Sequence, residues 1–312
     1  MAIGDFFKNG EGVGFKESLS DQQYEDLCNF EGNANGFKII SENKAGIKGG
    51  LRLSYATLGA FTKYPRKSIL NKKSNHIKDK KFGFFHSQNS FFDEVANELG
   101  MIDSNGSYMR HPLAFLVEAA DDICYTLIDF EDGINLGWIS EEYALEFLIR
   151  LVKDSIDTKK YNSLKHKTDR VAYLRALSIN TLINDTVKIF LKNEDKILNG
   201  EFTKTLLSES VFKAQMEDII DISVKKVYNS KEVIEKELKG YQVIHKLLSV
   251  FIKAAVNNQS DNTTALDDLV LASLPKTYIH KEGNLYNQLL DISCFVASLT
   301  DGNALEWYNK IS

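Results

Sequence analysis

Six side chains between residues 118 and 132 have the types and spacing to do chemistry. Glu118, Asp121, Asp122, Tyr125, Asp129 and Asp132 fall at i, i+3, i+4, i+7, i+11 and i+14, the pattern of one helix face. Five carboxylates and one phenol then share a stripe. Like charges one turn apart repel, so a helix that gathers them is weakened. Two readings account for such a stripe. It is a solvated acidic face, or it is a wall for a metal ion or a cationic ligand, since divalent ions take carboxylate oxygens.

The element that must carry these residues is legible around them. Arg110 to Gly137 reads RHPLAFLVEAADDICYTLIDFEDGINLG. Pro112 suits a first helical position, because its missing N–H would be unpaired there in any case, and the helix is expected to run to Asp132. Leu113, Leu116, Val117, Ala120, Cys124, Leu127 and Ile128 recur at helical spacing and are expected to face a core. A second long helix is predicted over Ser230 to Val256. Ser230 is its N-cap, and Val233, Ile234, Leu238, Tyr241, Ile244, Leu247, Leu248, Phe251, Ile252 and Ala255 form its apolar stripe. Asn257 to Thr264, NNQSDNTT, is a polar break after it. The chain has only three prolines, Pro65, Pro112 and Pro275, and its glycines are concentrated before residue 107. Few breakers and repeated helical periodicity predict an all-α, multi-helix fold.

Charge is segregated along the chain. Lys63, Arg66, Lys67, Lys72, Lys73, Lys78, Lys80 and Lys81 form a basic run in which Asp79 is the only acid. Ten acids and a single base, Arg110, lie between Asp93 and Asp132. Three readings stand side by side. The two runs are a self-complementary surface, or halves of a phosphate-metal site, or part of a nucleic-acid surface in which Tyr64, Phe82, Phe84 and Phe85 stack on bases. A net charge of −5 over 312 residues argues against a dedicated nucleic-acid binder.

Composition excludes other classes. Cys28, Cys124 and Cys294 lie far apart without CxxC pairing, the pattern of reduced thiols in a cytoplasmic protein. No apolar run approaches the roughly 20 residues of a membrane helix, and the first residues lack the layout of a signal peptide. Walker A, GxGxxG, HExxH and GxSxG patterns are all absent. None of the six histidines precedes an aspartate or lies three or four residues from another, so local spacing assembles no histidine metal centre.

Five blocks of the sequence resemble those of the deoxyguanosine triphosphate triphosphohydrolases, within the HD-domain phosphohydrolase superfamily. FEGNANGFKI at Phe30 to Ile39 is similar to FEGNAQ-x-x-R, and LRLSYATLGAFTKYP at Leu51 to Pro65 to LNLTYATLGA-x-x-KYP. KKFGFFHSQ at Lys80 to Gln88 resembles KKFGFF-x-SE. RHPLAFLVEAADDICY at Arg110 to Tyr125 is close to the family's central signature, and LTDGNALEWY at Leu299 to Tyr308 resembles its C-terminal block. The resemblance covers nearly the whole chain. It implies one HD-type domain over residues 1–312, corresponding to the C-terminal two-thirds of the family's chain.

The departure is at the N-terminus. Family members open with a histidine, then a His-Asp pair, then a glycine- and proline-rich turn, and MAIGDFF resembles the segment just after that turn. The chain is therefore expected to lack three of the family's four metal ligands and the assisting histidine and glutamate. No catalytic residue is assigned within it.

The remaining roles come from the resemblance, residue by residue. Asp121 matches the metal-ligand aspartate. Tyr125 matches a tyrosine packed on the deoxyribose, where a ring against C2′ excludes a hydroxyl. Asp129 matches the aspartate that accepts the 3′-hydroxyl. On one helix these three span about 12 Å at 1.5 Å per residue. Asn33 matches the asparagine near the substrate, while Asn35 and Lys38 stand where the family has glutamine and arginine. Lys63, Tyr64 and Lys81 match the KY and KK positions, and the two lysines are the candidates for triphosphate oxygens. Both are expected within reach of the Asp121 face. Tyr173 and Arg175 are candidates to approach from another helix.

The activity so implied is hydrolysis of a deoxynucleoside triphosphate, dGTP first, to deoxynucleoside and triphosphate, with Mg²⁺ or Mn²⁺ as cofactor. A homo-oligomer, hexameric in the family, and a single-stranded DNA or dNTP effector are implied as well; no membrane partner is. Two other readings remain. One is a catalytically inactive nucleotide-binding or regulatory protein of the same family, and the other is a helical interaction protein without a ligand.

Overall fold

The computed structural model describes residues 2–42, 50–69, 76–153 and 155–311. Lys72 and Lys73 of the basic run lie outside the described residues. The protein is all-α. Among the described residues there is no β-strand, only an isolated antiparallel bridge between Ile102 and Tyr108. The chain forms two compact units. The first comprises Met1–Ser74, Lys78–Tyr108 and Glu237–Ser312, the second Asn75–Ile77 and Met109–Lys236.

The second unit is organised on the predicted acidic helix, observed as Pro112–Asn135 with proline in its first turn. The His111 ring accepts the Leu113 N–H at 3.2 Å and caps it. Gly137, at φ 78°, closes it with its N–H on the Ile134 carbonyl, a left-handed turn that suits glycine. Helices Lys167–Lys192 and Lys213–Ser223 pack on it, and Glu141–Val152 packs on Lys167–Lys192.

Its buried face differs from the expected one. Of the seven apolar residues expected in the core, only Leu127 is fully buried. Leu116 is half-buried, while Leu113, Val117, Ala120, Cys124 and Ile128 are exposed. The core is instead entered by Phe115, Ala119, Ile123, Leu127, Phe130 and Ile134. The helix carries two apolar stripes offset by one residue, about 100° of rotation. The stripe with Phe115 and Phe130 removes more apolar area from water, and that is the one packed against Leu174, Leu182, Met216 and Ile219.

The first unit has a core of Phe6, Phe7, Leu27, Phe251, Leu289 and Phe295 and a smaller aromatic cluster in which the Phe84 and Phe92 rings stack at 4.2 Å. The second predicted long helix is observed at Lys231–Gln259. Leu247, Leu248, Phe251, Ile252 and Ala255 of its stripe are buried. Ile234, Leu238 and Tyr241 of the same stripe are exposed. The helix runs three residues into the expected polar break, through Gln259, and the remainder of that stretch ends in a capping box, Thr264 with Asp267, at the start of Ala265–Ser273.

Candidate functional site

The acidic stripe holds over most of its length. Asp121, Asp122, Tyr125 and Asp132 are exposed and Asp129 is half-buried. Its first member is elsewhere. Glu118 is buried and paired with Arg110 at 2.9 Å, and the Arg110 guanidinium lies over the Phe115 ring at 4.2 Å. A buried charge needs a partner, and Arg110, the one base in the acidic run, supplies it. Glu118 is therefore a structural ion pair and not part of the candidate site.

Asp129 and Tyr125 meet a residue that the sequence did not point to. Tyr228 donates a hydrogen bond of 2.5 Å to Asp129 Oδ2. Its ring centroid is 6.3 Å from that of Tyr125, with the planes at 31°. Tyr228 ends a single turn of π-helix, Val224–Tyr228, that comes after Lys213–Ser223. Such turns are rare and recur at functional sites. Gly133 allows the approach. A Cβ there would lie 2.6 Å from Val227 Cγ2 and 2.8 Å from Ile139 Cδ1, closer than real carbon contacts come. No local pattern links Tyr228 to Asp129 across 99 positions.

From the Lys167–Lys192 helix, Arg175 reaches the acidic helix and pairs with Glu131 at 2.6 Å. Tyr173 packs against the core cluster that includes Ile123 and Leu127, and its hydroxyl accepts the Asp157 N–H at 3.2 Å.

Asn33, Lys63, Tyr64 and Lys81 belong to the first unit. Lys81 pairs with Glu31 at 3.3 Å, and Glu31 also accepts from the Asn33 amide at 2.8 Å. Lys81 lines a cleft of about 540 Å³ with Lys8, Arg66 and Lys80, against the acids Asp5 and Glu31. Lys63 and Tyr64 do not line it, and Tyr64 is buried. Their segment nevertheless abuts that of Lys81. A Cβ on Gly83 would strike the Tyr64 carbonyl, and the Gly83 N–H donates to the Arg66 carbonyl at 3.2 Å. The KYP and KKFGFF blocks are thus packed together by a glycine.

Lys38 is buried between Asp291, at 2.8 Å, and Glu42. His280 contacts the other oxygen of Asp291 at 2.7 Å. These groups line a separate cavity of about 790 Å³ in the same unit. Asn35 is buried as well, its side-chain oxygen without a hydrogen-bond partner.

The divalent metal that the resemblance implies does not fit the described residues. Asp121 is an exposed carboxylate, and among the described residues no group of three histidine, cysteine, aspartate or glutamate side chains is placed to hold a metal ion. Such ions want several ligands at once.

No protein-family model matches the chain. A deoxyguanosinetriphosphate triphosphohydrolase-like protein of Pseudomonas aeruginosa is 31% identical over 320 residues, 100% of this chain and 72% of that protein. The chain belongs to the deoxyguanosine triphosphate triphosphohydrolase family. A Synechocystis triphosphohydrolase-like protein is 32% identical, over 92% of this chain and 66% of its own length. A deoxyguanosinetriphosphate triphosphohydrolase of Cronobacter sakazakii is 25% identical, over 96% and 67%. The chain thus spans about two thirds of the length of the curated relatives it matches. As a triphosphohydrolase-family chain it presents a helix carrying Asp121, Tyr125 and Asp129, and none of its described helices is long and apolar enough to cross a membrane.

Proposed function

We propose that this chain acts on deoxynucleoside triphosphates, dGTP first among them, as part of a hydrolase that releases the deoxynucleoside and triphosphate. The observation that carries the reading is the Tyr125–Tyr228–Asp129 cluster on the acidic helix. It offers an exposed aromatic face beside a half-buried carboxylate, the surface that a sugar with one hydroxyl needs. Family membership supplies the reaction class.

The Tyr125 ring packs on the deoxyribose at C2′ and leaves no room for a second hydroxyl. Asp129 accepts the 3′-hydroxyl. Lys63 and Lys81 neutralise triphosphate oxygens as charge builds on the leaving group, and Asn33 contacts the substrate near them. Asp121 is the carboxylate assigned to the divalent ion, Mg²⁺ or Mn²⁺. The described residues do not complete that ion's ligand set. The homo-oligomer and the nucleotide or single-stranded DNA effector belong to this reading through the family alone.

A second reading is favoured by that same incomplete ligand set: the chain binds deoxynucleotides without turning them over. One experiment decides between the two. Triphosphate release from dGTP and from GTP is measured with Mn²⁺ present, alongside nucleotide binding. Release from dGTP supports the hydrolase. Binding of dGTP without release supports the regulatory reading, and binding of neither sinks both.

A further inference from the structure

Asp129 has two oxygens, and Tyr228 takes one of them. The hydroxyl donates to Oδ2 at 2.5 Å, which leaves Oδ1 for a second donor, since a carboxylate accepts at both oxygens. A carboxylate held by one strong bond loses its freedom to turn about its last torsion, so its other oxygen has a fixed direction. Tyr228 is itself held, because the π-turn that carries it closes on Gly133 through Val227. Burial first, and then the bonds to Asp129 and Tyr125, hold the phenol above its ordinary titration range, so it stays a donor at neutral pH.

We infer that Tyr228 is a specificity-determining positioning residue: it fixes the Asp129 carboxylate beside the Tyr125 ring so that its free oxygen accepts one sugar hydroxyl. The inference rests on the sugar-binding reading of Tyr125 and Asp129, and it extends that reading to a residue that acts through Asp129. The ligand class is a deoxynucleotide with a free 3′-hydroxyl. The 2′,3′-dideoxy analogue leaves the oriented oxygen of this half-buried carboxylate unpaired, and a polar group that a ligand covers without pairing disfavours that ligand.

The test compares dGTP with 2′,3′-dideoxy-GTP by saturation-transfer NMR titration of the full chain, a measurement that reads millimolar dissociation constants. The intact protein is expected to prefer dGTP by about tenfold, the worth of one hydrogen bond to a charged group. In Tyr228→Phe, which keeps the ring and removes the hydroxyl, the preference is expected to fall to less than about twofold, because a loosely held carboxylate no longer repays one well-aimed bond. Retention of the full preference in Tyr228→Phe overturns the inference and leaves the sugar-binding reading intact. An intact protein that binds the two nucleotides alike, or binds neither, overturns that reading and the inference with it. Fluorescence melting of both proteins separates unfolding from loss of preference: a folded variant without the preference supports the positioning role.

Discussion

Tyr286 donates a 2.5 Å hydrogen bond to the buried carboxylate of Asp26, 260 positions earlier in the chain. Asp26 also accepts from Ser68 Oγ at 2.5 Å, from the His86 N–H at 2.6 Å and from the Gln22 amide at 3.0 Å. One side chain thereby joins the Asp21–Cys28 helix, the segments through Ser68 and His86, and the Leu285–Ser298 helix. Its removal takes an acceptor from four donors, of which the Gln22 amide keeps a second acceptor in Ser68 Oγ. Asp26→Ala is expected to cost about 3 kcal/mol or more, read from urea unfolding, since each stranded buried donor costs about 1–3 kcal/mol.

The same group sets a pH dependence. Burial holds the folded Asp26 carboxyl above its ordinary 3.8, against the pull of its hydrogen bonds. The folded chain therefore binds this proton more tightly than the unfolded chain. The stability it contributes is fully present below 3.8 and is lost as pH rises through the raised folded value. Asp26→Asn cannot titrate. The difference in unfolding free energy between the intact protein and this variant is expected to shift against the intact protein across that window. A difference that is flat with pH would contradict the assignment.

Arg110 and Glu118 form an ion pair that water barely reaches. Removing one partner strands the other, so Glu118→Ala is expected to destabilise by about 3–5 kcal/mol. Replacing both residues by apolar groups of similar volume is expected to be close to neutral. The two variants are compared by denaturant unfolding, and a double variant as unstable as the single one would refute the account.

Gly133→Ala drives a methyl group into Val227 and Ile139. Overpacking of this kind costs about 1–3 kcal/mol. Because Val227 precedes Tyr228, the substitution is also expected to break the Tyr228–Asp129 bond, seen as a fall of the Tyr228 phenol titration toward its ordinary 10.0 in ultraviolet difference spectra.

Tyr125→Ala removes the ring beside Asp129 but not the carboxylate. If the ring excludes the 2′-hydroxyl, the preference for dGTP over GTP is expected to fall by about tenfold or more, the range of discrimination that a pocket contact gives. Asp121→Ala is expected to leave the dGTP preference in binding unchanged. The two variants are separated by measuring binding of dGTP and GTP to each.

The amino-acid sequence determined the helices and the family. Pro112, the capping residue Ser230 and the polar stretch before Ala265 act within a turn or two of chain, so their effects are local and legible. The spacing of Asp121, Tyr125 and Asp129 is likewise a property of one helix, which is why these three share a face. Tertiary packing decided the rest. It chose the stripe of Phe115, Ile123 and Phe130 for the core over the stripe of Val117, Cys124 and Ile128, a choice between two faces that only the neighbouring helices make. It withdrew Glu118 from the acidic face into a pair with Arg110, and Lys38 into a pair with Asp291. It brought Tyr228 to Asp129 and Tyr286 to Asp26. These contacts join residues far apart in the chain, and no periodicity encodes them. Burying a charge or a phenol requires a partner, and only the folded chain can bring that partner there.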